Sequence, residues 1–220
     1  MLRVRVWDWP TRVFHWSLVM AVIGLIVTGN VGGSWMAWHL RLGVAVLALL
    51  VFRLLWGVVG GHWSRFVQFV YAPASVVAYV RGQSPLSHRV GHTPLGSLSV
   101  FALLALLLVQ VISGLLTDDE IFYAGAWAQW ASYDTIELAS RYHQQVGKLL
   151  VIGLVVLHVG ALGVYAFKFR NNLVKAMLTG DKIVPSPVRS SSDGPRDWLK
   201  AVVVFGVACG LTAWMVQWQP

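Results

Sequence analysis

The feature that most limits this chain is a series of five apolar runs, each close to the roughly 20 residues that a helix needs to cross a bilayer. They are Val13 to Val31, His39 to Gly60, Pro94 to Leu116, His143 to Phe169 and Trp198 to Trp218, divided by charged or turn-rich breaks. At that depth no water satisfies the backbone amides, so each run is expected to be helical. With 57% hydrophobic and only 12% charged residues, the chain reads as an all-α integral membrane protein. The first run has no small-residue cleavage site behind it and is long enough to span, which marks a retained helix rather than a signal peptide. The formal charge of +8 does not point to nucleic acid, because Lys and Arg flank the apolar runs instead of forming a soluble patch.

Those cations set a direction. Arg3, Arg5 and Arg12 precede the first run, Arg53, Arg65, Arg81 and Arg89 lie in or near the second connection, and Lys168, Arg170, Lys175, Lys182, Arg189, Arg196 and Lys200 lie between the fourth and fifth. The opposite side holds Asp118, Asp119, Glu120, Asp134 and Glu137. By the positive-inside rule the N-terminus is cytoplasmic and the C-terminus periplasmic, in a bacterial inner membrane. The short GNVGGS turn (Gly29 to Ser34) makes the first two helices antiparallel neighbours. Phe66 to Gly82 suggests a short interfacial helix. Ile183 to Asp197 is rich in Pro, Ser and charge and reads as a flexible linker, so the expected organisation is a four-helix core (1–182), a linker (183–197) and a fifth transmembrane helix (198–220).

Within this frame four of the seven histidines sort by depth into two pairs. His15 and His158 fall at the inner level, His39 and His143 at the outer. Fifteen residues separate His143 from His158, about 22 Å of ideal helix, with the second returned to within roughly 60° of the first. One helix thus offers imidazoles at two depths. Histidines in a bilayer are costly and face the bundle interior or a partner, and two that meet from opposite corners of a four-helix bundle supply both axial nitrogens of a six-coordinate haem iron. Gly43 and Gly147 follow His39 and His143 at i+4, where a flat macrocycle would need room, with Gly24, Gly114 and Gly153 as further glycines of that kind. Arg12 is placed for the inner haem's propionates, and Arg41 or Lys148 for the outer's, although each also serves as a flanking charge. The competing explanation is a proton or metal-ion path. Such a path would recruit intramembrane carboxylates, and none lies inside the five runs as bounded above. The lone Cys209 excludes a disulfide framework, and no CxxCH attaches a haem covalently. His62, His88 and His92 fall in the inner connection and read as loop residues, though His88 with His92 could bind a metal or move protons.

VWDWPTRVFHW (Val6 to Trp16), FRLLWGVVG (Phe52 to Gly60), GHTPLGSLSV (Gly91 to Val100), LHVGAL (Leu157 to Leu162) and NNLVKAMLTGDK (Asn171 to Lys182) resemble the prokaryotic cytochrome b561 family, which is similar to the b-type subunits of nickel-iron hydrogenases. The resemblance runs from about residue 4 to 183. It implies a core with two non-covalent b haems ligated by His15, His39, His143 and His158, and electron exchange with quinone and with a redox partner. The fifth helix is an extension of that pattern, suited to contact with another membrane subunit or a second copy, or to simple anchoring.

The leading expectation is therefore a non-catalytic electron carrier between the quinone pool and a c-type cytochrome or hydrogenase-like protein on the outer face, whose basic patch the acidic outer loop would attract. A quinone-linked oxidase of a small reductant such as superoxide is the alternative, disfavoured by an outer loop richer in Asp and Glu than in Lys and Arg. A non-redox histidine-lined transporter or membrane anchor is the third.

Overall fold

The computed structural model describes residues 1–217; Trp218, expected to close the fifth span, lies outside the described residues. In chain order the elements are β1 (Leu2–Arg5), α1 (Trp9–Val31), α2 (Met36–Val59), α3 (Pro73–Val80), α4 (Pro94–Leu115), α5 (Tyr133–Arg141), α6 (Lys148–Phe167), α7 (Leu173–Thr179), β2 (Asp181–Val184) and α8 (Pro195–Gln217), with short 3₁₀ turns between them. Among the described residues five helical stretches are long and apolar enough to cross a membrane. The architecture is the expected all-α membrane fold, with one small antiparallel ribbon, β1–β2, that the apolar pattern did not announce.

The helix ends differ from the expected ones for local reasons. Asp8 caps α1 by accepting the Thr11 amide at 3.0 Å, so the helix begins at Trp9, before its apolar run. Gly29 belongs to α1, and the turn is made by Gly32 and Gly33, at φ 68° and 56°. The fourth span begins ten residues early. Ser132 caps α5, and α5 runs through a π-helical segment, Tyr142–Gly147, into α6. The early start carries Asp134 and Glu137 into the first turns of the long helix, and Asp197 likewise opens α8; all three sit at helix ends. Within the segment expected to be interfacial, only Pro73–Val80 is α-helical, as α3, with Val77 and Val80 exposed.

The chain divides into two compact units. The first comprises Met1–Phe14, Arg53–Ala102 and Val156–Val204; the second comprises His15–Phe52, Leu103–Val155 and the chain from Phe205 on.

The first unit is organised around buried polar groups. Asp8, 1% exposed, accepts from the Gly61 amide at 3.1 Å, the Ser64 hydroxyl at 2.8 Å and the Trp56 indole at 3.3 Å. Arg53, 3% exposed, donates to the Ser64 carbonyl at 3.0 Å and lies over the Phe66 ring at 4.7 Å. The β1–β2 ribbon pairs Arg5 with Asp181, and Arg3 and Arg5 both bind the Asp181 carboxylate. Burial alone would raise the Asp181 carboxyl, but the two guanidinium groups outweigh it and hold it below its ordinary range. The segment expected as a linker is joined to this unit: the Ser191 amide donates to the Arg5 carbonyl at 2.7 Å, Trp63 donates to the Arg189 carbonyl, and Asp193 binds Arg5 and the Trp9 amide.

The second unit is apolar at its centre. Ala21, Val46, Leu47, Leu50, Leu107, Val111, Leu115 and Val151 form its core. On α8, Phe205 meets Phe52 edge to face, and the Met215 carbonyl accepts from the Trp127 indole at 2.8 Å.

A paired-histidine candidate functional site

The second unit brings His39 and His143 together. Their ring centroids lie 6.0 Å apart with planes at 90°. Each ring is held by the same local device. The His39 Nδ1 lies 3.0 Å from the Leu25 carbonyl of α1, and the His143 Nδ1 lies 2.9 Å from the Gln110 carbonyl of α4. A carbonyl only accepts, so both Nδ1 atoms carry the proton and both Nε2 atoms keep their lone pairs. Three residues beyond each carbonyl stands a hydroxyl, Thr28 or Ser113, at 3.4 Å and 3.3 Å from the respective Nδ1. Four residues beyond stands a glycine. A Cβ on Gly29 would come within 2.9 Å of the His39 ring, and one on Gly114 within 2.7 Å of the His143 ring. Those two glycines let the imidazoles lie against the helices that anchor them.

The π-helical segment gives His143 its place. A π-turn leaves carbonyls without the usual helical partner, and the Gln110 side chain donates to the His143 carbonyl at 2.9 Å. A Cβ on Gly147 would strike the Gln110 side-chain oxygen, so Gly147 admits Gln110. Gly43, the other glycine expected beside the ligands, has no atom within 4 Å of its Cβ position. The wider turn also means that the ideal-helix angle between His143 and His158 does not carry over.

The remaining expected residues are placed as follows. His15, on α1 in the second unit, is half-buried and meets Trp16 edge to face at 5.0 Å. His158, on α6 in the first unit, is also half-buried. Arg12 donates to the Met177 and Leu178 carbonyls that end α7 and lies over the Trp9 ring. Arg41 lies over the Trp38 ring at 5.1 Å, and Lys148 is half-buried at the start of α6.

Of the histidines set aside as loop residues, His92 lies half-buried between Trp7 and Phe69, with centroids at 4.6 Å and 4.2 Å. Burial, reinforced by the Arg53 and Lys182 charges, pushes its imidazole down to about 3, so it is neutral at physiological pH. Lys182, donating to the Val90 and Gly91 carbonyls, is pushed down to about 8 by burial. His62 is lowered by burial and by Arg189 and Arg65.

Among the described residues no group of three or more His, Cys, Asp or Glu side chains converges on one point, which a protein-built ion site needs. Two imidazoles whose Nδ1 atoms donate to carbonyls keep Nε2 as the ligating atom, and such a pair would hold the iron of a b haem.

Comparison with known proteins agrees with this chemistry. The model of the family described as prokaryotic cytochrome b561 matches residues 6–180. A protein of Bradyrhizobium diazoefficiens named probable Ni/Fe-hydrogenase B-type cytochrome subunit is 22% identical over 214 residues, covering 81% of this chain and 85% of its own. A protein of the same name from Cupriavidus necator is 25% identical over 207 residues, covering 80% and 85%. No solved structure matches the chain. The family match stops just before β2 and leaves both β2 and α8 outside.

Proposed function

The chain belongs to the prokaryotic cytochrome b561 family and is a membrane b-type cytochrome of electron transfer; from that premise we propose that it holds two b haems and carries electrons across the inner membrane between quinone and a redox protein on the outer face. The observation that carries the proposal is the His39–His143 pair, with each Nδ1 bonded to a carbonyl and each Nε2 left to bind iron. His15 and His158 are assigned to the inner haem by their depth in the sequence. The haems supply reversible one-electron storage. The protein's own part is to hold the imidazoles of His39 and His143, which would ligate the iron, leave no position for small molecules and favour outer-sphere transfer.

Around the outer haem, Arg41 and Lys148 supply cations for propionates, with Gly43 leaving room beside His39. Arg12 is already engaged by α7, so an inner propionate would share it with the Met177 and Leu178 carbonyls. The N-terminus is assigned to the cytoplasm. The outer redox partner is of the c-type cytochrome or hydrogenase-like class, docked through a basic patch. In support, a cavity of about 280 Å³ in the second unit is lined by Asp118, Glu120 and Glu137, three carboxylates against the single cation Arg141, which pairs with Glu137. Asp119, in the same loop, accepts the Tyr123, Ile121 and Phe122 amides, which keep its carboxylate below the usual range and so ionised.

The test is transmembrane transfer. With the chain in liposomes, ferricyanide sealed inside and a quinol in the bilayer, trapped ferricyanide is expected to be consumed in step with quinol oxidation. His39→Ala should stop it. Quinol that stays reduced beside haem-loaded protein would contradict the proposal.

A further inference from the structure

Tyr165 follows His158 by seven residues on α6, about 10 Å along the helix and turned back to within about 20° of the same face. Its phenol oxygen shares a hydrogen bond of 2.6 Å with the phenol of Tyr79 on α3. Both tyrosines are half-buried in the first unit. The apolar side chains flanking them on their own helices, Val77, Val80, Val164 and Phe167, are exposed, an apolar surface that suits approach by a lipid-soluble molecule. On the other side, the Thr93 side chain and the Arg89 charge act on Tyr79 and favour its ionised form. Burial, followed by Tyr165, outweighs them and pushes the Tyr79 phenol up to about 12. Arg89 itself is exposed.

Two neutral phenols in contact can give a proton at one end while taking one at the other, with no charge left in the apolar medium. An apolar-tailed molecule with a hydroxyl or carbonyl head is the chemistry such a pair recognises. We propose that Tyr165 and Tyr79 form the head-group site for a quinol beside the inner haem and the first two links of its proton path, an inference that rests on the quinone-linked function above. Oxidation of the quinol to the quinone would release two protons and two electrons, the electrons going one at a time to the b haems that His15, His158, His39 and His143 would hold. Each proton is received at the Tyr165 oxygen as the Tyr165 hydroxyl proton passes to Tyr79 and the Tyr79 proton leaves to water near Arg89. Both phenols end each passage neutral, and the reverse sequence serves quinone reduction.

The experiment uses the haem-loaded full chain in nanodiscs, with decylubiquinol as reductant and haem reduction followed optically. Tyr165→Phe and Tyr79→Phe each remove one oxygen and keep the ring. Quinol-driven reduction is expected to slow about 100-fold in Tyr165→Phe, the low end for a lost proton-transfer group, and less in Tyr79→Phe, with the solvent deuterium isotope effect altered in both. Haem content, the reduced spectrum and reduction by dithionite should not change. Wild-type rates and isotope effects in both variants would overturn the relay alone, as would slowing that merely follows haem loss. Wild-type protein reduced by dithionite but never by the quinol would remove the quinone-linked function, and the relay with it.

Discussion

In the first unit a buried polar group has its capacity filled by protein: Asp8 takes an amide at the start of α1, another amide, a hydroxyl and an indole. In the second unit His39 and His143 are each half-satisfied, one ring nitrogen bonded to a carbonyl and the other left with its lone pair. Both arrangements bury polarity in an apolar chain, and both obey the rule that such groups find partners. The difference separates structure from function. A carboxylate with several donors holds segments together, whereas an imidazole fixed at one nitrogen is oriented for something that the polypeptide does not supply.

That contrast can be broken from either side. The largest effect is expected from Gly114→Val, because a Cβ there meets the His143 ring at 2.7 Å and the ring must leave its carbonyl. Haem measured per chain should fall by one, with the fold retained by circular dichroism, and Gly29→Ala should act in the same direction more weakly. Asp8→Ala takes an acceptor from the Gly61 amide, the Ser64 hydroxyl and the Trp56 indole, and removes the cap of α1. It is expected to cost about 3 kcal/mol of stability in detergent unfolding while leaving the haem count in the surviving folded protein unchanged.

A smaller effect comes from pH. The His92 imidazole is held near 3 in the folded chain against 6.5 in the unfolded one, so on acidification the unfolded chain takes the proton first. Stability due to this group is complete above pH 6.5 and declines as pH falls toward about 3. Between pH 6.5 and 5 the loss should be about 2 kcal/mol, and His92→Phe, which keeps the ring between Trp7 and Phe69, should remove it. Smallest of all, Thr28→Val and Ser113→Ala delete hydroxyls that already donate to the Gly24 and Gln110 carbonyls. Each should cost under about 1 kcal/mol and leave haem content unchanged. Loss of haem in either would show that the hydroxyl, and not the carbonyl, fixes the imidazole.

Apolar run length made the five spans legible, because the bilayer imposes it on any chain that crosses. Depth sorting brought His39 and His143 to one level, and the structure brings their rings together. What stayed hidden depends on side chains that carry no hydropathic signal. Gly29 read as part of a turn, and Gly114 as one glycine among many; their meaning lies in the repeated spacing Leu25, Thr28, Gly29 and Gln110, Ser113, Gly114, a carbonyl, a hydroxyl and a glycine on one face. Asp8 carried no expectation, since a lone acid before a helix looks like a surface cap. The early start of α5 was masked by Asp134 and Glu137, which end an apolar run without ending a helix. Arg53 read as a flanking charge, because burial of its guanidinium over Phe66 is decided by residues thirteen positions away.

The central claim is that His39 and His143 together bind one haem of two. Its most direct measurement is the number of b haems per chain by pyridine haemochrome, with reduced spectra, for the wild-type protein and for His39→Ala and His143→Ala. The account predicts two low-spin haems in the wild type and one in each variant, the same one lost in both. Folded wild-type protein without haem from haem-replete cells, or variants that keep both haems, would contradict it.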